Sequence, residues 1–388
     1  MIRICVVTPQ PTPYRDPFWN TVAEQPGVDL DVYYCYGKGE DRPWDLDWPW
    51  RFQGEVLPGR ALLGDHNGYW NPLILKRLRE RPYDAIILGG YNHLTMLAAA
   101  WYAQRKRIPY LVMCESYHGL KRATYRKWAK TPLVRWVVGN SAGILPTGQL
   151  ARDYLISYGG PADSWAYCPN VPDVEGLKSQ AEELQSQRQI IRQELQLDDK
   201  PTILFVGRLI RKKGVDVLIE AFSTIVRQEP CTLVIAGDGP ERQSLERQVA
   251  HLGLSGHVRF VGFKQPKELP RWYCAADVFV LPSRTEPWGV VVLEALASGL
   301  PVVVTELVGC HPDVVTGPEV GMVVPPDNAP ALAKALEYYI ARRPSRDQVH
   351  SDWKPTYERM RYPIVAANLV RLVQDIIQER QAASIANR

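Results

Sequence analysis

The sequence predicts an α/β protein made of two doubly wound domains, on three observations. Short, wholly apolar runs alternate with helix-length amphipathic segments along the chain. Those runs lack the apolar–polar alternation of a half-exposed sheet, so they suit parallel strands covered on both faces. A segment rich in Gln, Glu and Lys, residues 174–200, has no strand pattern and divides the chain into two halves. At roughly 100–200 residues per domain, the chain length also makes two domains the first expectation.

In the first half, strands are expected at residues 2–7, 30–35, 85–88, 110–113 and 143–146. Helical patterns lie between them at 17–24, 72–80, 94–105 and 124–138. In the second half, strands are expected at 202–206, 232–236, 258–261, 278–281 and 301–304, with helices at 215–228, 241–251, 267–275, 290–298 and 329–340. Residues 175–197 are read as mostly one amphipathic helix leading into the second domain, and 355–380 as the helix that ends the fold. The domains are then 1–173 and 174–354, with 355–388 packing back on the first. Residues 37–70 are rich in Trp, Pro and Gly and have little periodicity, which suits a functional loop.

Hydrophobic residues make up 46% and charged residues 23%, an ordinary globular balance. A net charge of +4 does not make nucleic acid a default partner. Seven Cys with no Cys-x-x-Cys pair fit a reduced, cytoplasmic setting and suggest no metal site. The start, Met1–Pro9, reads as a buried strand entering a loop, too short for a secretory segment. No apolar run reaches the length of a transmembrane helix.

Three stretches of the second half carry the chemistry. Gly207-Arg208-Leu209-Ile210-Arg211-Lys212-Lys213-Gly214 lies between a strand and a helix. A diphosphate there would meet a forked guanidinium, an ammonium and a helix N-terminus. A solvated basic loop is the alternative. Gly237-Asp238-Gly239-Pro240-Glu241 is a tight strand-to-helix turn, or glycines that let backbone approach a base or phosphate. The third stretch, residues 282–301, holds Glu286 in the loop before a helix and Glu294 one to two turns inside it. Carboxylates in so apolar a setting need partners, and vicinal sugar hydroxyls are good ones. The amides of Trp288, Gly289 and Val290 would form an anion site between them. Alternatively Glu286 caps the helix and Glu294 is a surface residue.

Gly207-Arg208 with Lys213-Gly214, and Glu286 separated by seven residues from Glu294, resemble the retaining glycosyltransferases of family 4, the group 1 glycosyl transferases. The resemblance runs from about residue 202 to residue 327 and includes Ala276–Ser283 and Ala295–Pro301. It implies the GT-B fold, two Rossmann-like domains facing across a cleft, and transfer of a sugar from a UDP- or GDP-linked donor to a hydroxyl with retention and without metal or cofactor. By this resemblance Arg208 and Lys213 neutralise the diphosphate, Glu294 holds the ribose, and Glu286 holds the transferred sugar. Trp288, Gly289 and Val290 contact sugar or phosphate through their amides, and Gly262-Phe263 lie beside the base; Gly207 and Gly237 are donor-binding candidates on their own, as glycines that let backbone pass close to a ligand.

In the first half, the loop Thr8–Arg15 resembles a subgroup with a Pro13-Tyr14-Arg15 signature. Arg15 would meet a phosphate or an acidic acceptor, or else the loop is a rigid lead-in to the next helix. Glu115, His118 and His93 follow strand ends, and each is a candidate to orient the acceptor hydroxyl or the donor sugar. Residues 121–136 are basic and aromatic, which suits either an anionic membrane surface or a solvated helix face. The acceptor is expected to be a lipid-linked glycan, polysaccharide or small glycoside. The expected location is cytoplasmic, extending to the inner face of the cell membrane. A sugar-nucleotide epimerase of the same fold, a glucan phosphorylase with Lys-bound pyridoxal phosphate and a non-catalytic nucleotide-sugar binder are the rival functions.

Overall fold

The computed structural model describes residues 1–37, 49–62, 68–120 and 124–386, with side chains left undescribed at 124–130 and 384–386. Residues 38–48 and 63–67 of the 37–70 excursion and the first part of the 121–136 stretch therefore lie outside the described residues. The chain forms two compact units. Unit 1 is Met1–Val171 with Arg359–Arg388, and unit 2 is Pro172–Glu358.

Unit 1 contains β1 (Ile2–Thr8), β2 (Val28–Tyr34), β3 (Gln53–Val56), a small hairpin β4 (Arg60–Ala61) and β5 (Tyr69–Trp70), then β6 (Ala85–Leu88), β7 (Tyr110–Cys114) and β8 (Gly143–Pro146). Six of these form a parallel sheet in the order β3-β2-β1-β6-β7-β8. Unit 2 contains β9 (Thr202–Val206), β10 (Thr232–Ala236), β11 (Val258–Gly262), β12 (Val278–Leu281), β13 (Val302–Thr305) and β14 (Gly321–Val324), parallel in the order β11-β10-β9-β12-β13-β14. In each sheet the winding reverses beside the first strand. Ligands of such sheets bind at that reversal, outside the carboxyl ends of the strands.

Burial on both faces explains the apolar runs. Along β1, Cys5 and Val7 enter one core cluster with residues of the helices Leu73–Glu80, Leu94–Lys106 and Thr124–Gly139, while Ile4 and Val6 enter another with the helices Asp16–Ala23 and Tyr362–Ala386. Strand side chains alternate faces, so a strand sandwiched this way must be apolar throughout.

The two strands of the large sheets that the pattern misses are both edge strands. β3 is the edge strand Gln53–Val56, which has no fully buried residue and therefore no apolar run. β14, at an edge of the other sheet, opens on Gly321. The helix Gln149–Ser157 was also not anticipated.

Two expectations about helices are corrected. Residues 175–197 are not one helix but two, Val174–Gln185 and Arg188–Glu194. The second is anchored through its arginines: Arg188 donates to Cys274 O at 2.9 Å and to Asp277 at 2.8 Å, and Arg192 donates to Ala275 O. Likewise 355–380 is not one helix. Residues 359–361 separate Arg346–Glu358 from Tyr362–Ala386, and the boundary between the units falls at that break.

Arg346 joins Arg188 and Arg192 at the end of the helix Leu269–Ala275. It donates to the carbonyls of Tyr273, Cys274 and Ala276 at 2.9, 2.8 and 3.0 Å, and to that of Ser298. Burial pulls its pKa down to about 10, so it remains a cation at neutral pH. These carbonyls end a helix and need donors. Arg346→Met should therefore cost about 2–3 kcal/mol of unfolding free energy, read as a lower urea midpoint at unchanged m-value.

Candidate functional site

At the reversal in unit 2, β9 and β12 are neighbours, so the loops that follow them, 207–214 and 282–289, leave the same edge of the sheet side by side. They are clasped together. Gly214 has φ +67°, and a Cβ on it would collide with the Pro282 carbonyl oxygen. Only glycine allows that approach. Arg284 N donates to Lys212 O at 2.7 Å, and the Arg284 guanidinium reaches Arg211 O at 2.8 Å. The same guanidinium makes a two-pronged bond to Asp216, 2.7 Å on each side, and a further bond to Asp327. Burial works against the Asp216 carboxylate, but the hydrogen bonds and charge of Arg284 outweigh it and hold the Asp216 pKa below its ordinary value.

This clasp seats the charged residues. The Lys213 ammonium is ion-paired with the Glu286 carboxylate, and both side chains are largely buried. The two residues that the resemblance gives to diphosphate and sugar thus meet in one pair. The Glu286 backbone is pinned as well: its N–H donates to Leu307 O at 3.1 Å, and its carbonyl accepts from Gly309 N at 2.9 Å. Arg208 is exposed at the start of the same loop.

The helix Val290–Ala297 starts after Gly289, and no described side chain caps it. Trp288 is buried, and its carbonyl accepts from Cys310 N at 3.0 Å, so what it can offer a ligand is backbone. Glu294 lies one turn inside this helix, partly buried, and accepts the Tyr273 hydroxyl at 2.8 Å. Burial raises the Glu294 pKa above the usual carboxylate range, and the Tyr273 hydrogen bond opposes that rise.

Gly237, with φ +150°, fits against the next loop, because a Cβ there would collide with the Gly207 carbonyl oxygen. The space is filled by protein backbone. Asp238 is part of the turn: its carbonyl accepts from Leu209 N at 2.8 Å. Gly262 O accepts from Gly237 N at 2.8 Å, and Phe263 beyond it is 44% exposed.

In unit 1, the loop after β1 is packed into the fold. Arg15 is 7% exposed, and its guanidinium donates to Cys168 O at 2.7 Å and Sγ at 3.1 Å. Pro13 and Tyr14 are partly buried, and Tyr14 O accepts from the Tyr362 hydroxyl at 3.3 Å. His93 is buried ahead of the helix Leu94–Lys106. Its Nδ1 accepts from Tyr69 N at 3.2 Å, and burial pulls its pKa down to about 4. His118 is exposed, with Nε2 3.1 Å from Ser157 Oγ and its ring beside Tyr154. Glu115 is exposed and accepts from Asn170 Nδ2 at 2.6 Å.

Arg284, Tyr273 and Asn170 were not singled out in the sequence. Each acts on a partner distant in the chain, so no local spacing marks it.

The model of the glycosyl transferases group 1 matches residues 186–352, and that of the glycosyl transferase 4-like domain matches residues 2–171. The alpha-D-kanosaminyltransferase of Streptomyces kanamyceticus is 37% identical over 39% of this chain and 40% of its own length. A GDP-mannose-dependent alpha-(1-6)-phosphatidylinositol monomannoside mannosyltransferase of Mycobacterium tuberculosis is 31% identical over 54% of this chain and 56% of its own length. The chain thus spans about half the length of these curated relatives. The structure of Anabaena HepE in complex with UDP superposes with a TM-score of 0.69 over 98% of this chain and all of that one, at 19% identity, which shows a shared fold. Among the described residues no helix is long and apolar enough to cross a membrane.

The raised Glu294 pKa has a testable consequence for stability. The folded state favours the protonated carboxyl, so its relative stability is greatest below the unfolded pKa of about 4.3 and is lost as pH rises through the folded value. Glu294→Gln removes that loss. The variant should melt above the wild type at pH 8, with the gap closing toward pH 4, in melting curves taken across that range.

Proposed function

Because the chain belongs to the group 1 glycosyl transferases, with their GT-B fold of two Rossmann-like units, we propose that it transfers a sugar from a nucleoside-diphosphate sugar to a hydroxyl acceptor, with retention of configuration and without a metal. The observation that carries the reading is the Lys213–Glu286 pair, seated at the unit 2 reversal beside Arg208 and the uncapped helix that bears Glu294.

In this reading a diphosphate draws Lys213 and Arg208 to itself and frees Glu286 for the hydroxyls of the transferred sugar. The amides of Trp288, Gly289 and Val290 face the anion, Glu294 accepts the ribose hydroxyls, and Phe263 lies beside the base. The bond from C1 to the diphosphate oxygen breaks, and the bond from C1 to the acceptor oxygen forms on the same face. The acceptor proton leaves with the diphosphate. These two cations stabilise the departing charge, the role a metal would otherwise have. The donor class is supported by the UDP in the HepE structure and the GDP-mannose in the mycobacterial relative's name. The same relative's phosphatidylinositol mannoside supports a lipid-linked acceptor, and the basic, aromatic composition of 121–136 supports an anionic membrane surface as a partner. The protein then works in the cytoplasm, at the inner face of the cell membrane.

UDP or GDP, at 100 times its dissociation constant, should add about 2.7 kcal/mol to folding stability. Arg208 is exposed, so Arg208→Ala should leave the melting temperature near the wild type while lowering sugar transfer by about 100-fold or more. Glu294→Ala should likewise abolish turnover. Wild-type rates in either variant would remove the site. Donor converted to an epimer without acceptor, or bound without release of diphosphate, would replace transfer with epimerisation or with binding alone.

A further inference from the structure

The carboxyl edge of unit 1 also has a reversal, between β1 and β6, and the residues around it form a second built feature. Tyr36 follows β2, and its N–H donates to Pro9 O at 3.0 Å, which fastens it to the loop after β1. Tyr69 lies in the β4–β5 hairpin, and His93 follows β6. Gly68 N donates to Asn92 O at 3.2 Å, so hairpin and loop are joined there too.

A buried polar network holds these pieces. Asn71 and Thr95 are fully buried. Asn71 Nδ2 donates to Cys35 O at 2.9 Å and to Leu57 O at 2.8 Å. Thr95 Oγ1 accepts from Asn71 N at 2.9 Å and lies 3.1 Å from Tyr69 O and 2.8 Å from Asn71 Oδ1. Satisfied buried networks of this kind fix geometry. What they fix is two partly exposed phenol rings stacked at 4.7 Å, with the His93 ring edge-on to both.

The chemistry presented is specific. His93 Nδ1 accepts a backbone N–H, so its ring proton sits on Nε2, and burial keeps the imidazole neutral down to about pH 4. The edge therefore offers the partly exposed rings of Tyr36 and Tyr69, held in place by a buried, uncharged imidazole. A pyranose ring matches it through its apolar C–H face. An anionic acceptor would call for a guanidinium or ammonium. Arg15, the cation of the adjoining loop, is turned inward to Cys168.

We propose that Tyr36 and Tyr69, held in place by the buried His93, form the subsite that receives the accepting sugar as an uncharged pyranose ring. This rests on the sugar-transfer reading above and names its acceptor class.

Saturation-transfer NMR on the full chain, with methyl α-glucopyranoside, methyl α-mannopyranoside and glucose 6-phosphate, tests it. At least one methyl pyranoside should receive saturation from aromatic protons in the wild type. Its affinity should fall by about fivefold to tenfold in Tyr36→Ala and Tyr69→Ala and hold in Tyr69→Phe. Tyr69→Leu keeps the bulk and loses the ring, so it decides the matter if the alanine variants unfold. No pyranoside signal in the wild type, unchanged affinity in Tyr36→Ala and Tyr69→Leu, or a much tighter glucose 6-phosphate would each overturn the proposal. The UDP- and GDP-induced rise in melting temperature reads unit 2 separately. Its absence in the wild type would count against sugar transfer, and its persistence in the tyrosine variants would confine their defect to this subsite.

Discussion

Arg284 reaches from the loop after β12 to the first turn of the helix after β9, and its fork with Asp216 decides where the other side chains of that edge can stand. The backbone bond from Arg284 N to Lys212 O registers the same two loops, and the fork adds a side-chain tie. With it, Gly214 closes on Pro282, and Lys213 is delivered to Glu286. A partly buried ion pair is weak evidence of stability, because desolvation offsets much of the attraction. Its value here is placement: Lys213 and Glu286 are held together at the carboxyl end of the sheet, at the reversal of unit 2.

The two units share a strand order but treat charge in opposite ways. Unit 2 exposes Arg208 and keeps Lys213 and Glu286 at its reversal. Unit 1 turns Arg15 into its own core and keeps His93 neutral by burial. One architecture thus carries a charged edge in unit 2 and an aromatic edge in unit 1, and the difference lies in a few loop residues. Glu294 belongs to the charged edge, where burial raises its pKa and the Tyr273 hydroxyl opposes that rise.

How much of this was legible in the sequence follows from which interactions are local. The central strands could be read because burial on both faces demands apolar runs such as Ile2–Thr8 and Val278–Leu281. The edge strand Gln53–Val56 could not, because one side of it faces no neighbour and its residues are not selected for burial. The break between Gln185 and Arg188 was hidden for another reason: its cause is a set of carbonyls at 274–276, far along the chain. In the site, Glu286 and Glu294 stood out because carboxylates are conspicuous among valines and leucines. Arg284 lay two residues from Glu286 and did not stand out, since an arginine in a polar loop looks ordinary until Asp216 and Asp327 are seen beside it.

The return of the chain to unit 1 has a consequence for how the protein is made. One face of the first sheet is covered by Val365, Ala366, Leu369 and Val373 of the final long helix, which pack with Ile4, Val6, Phe18 and Trp19. On the ribosome those early residues emerge first, and their cover emerges only after the whole of unit 2. Unit 2 is contiguous in sequence and can complete its core while unit 1 still waits with an apolar face open to water. Domains usually finish in the order in which they are synthesised. Here the sheet made before unit 2 is sealed after it, so an apolar face stays open to water while unit 2 is synthesised.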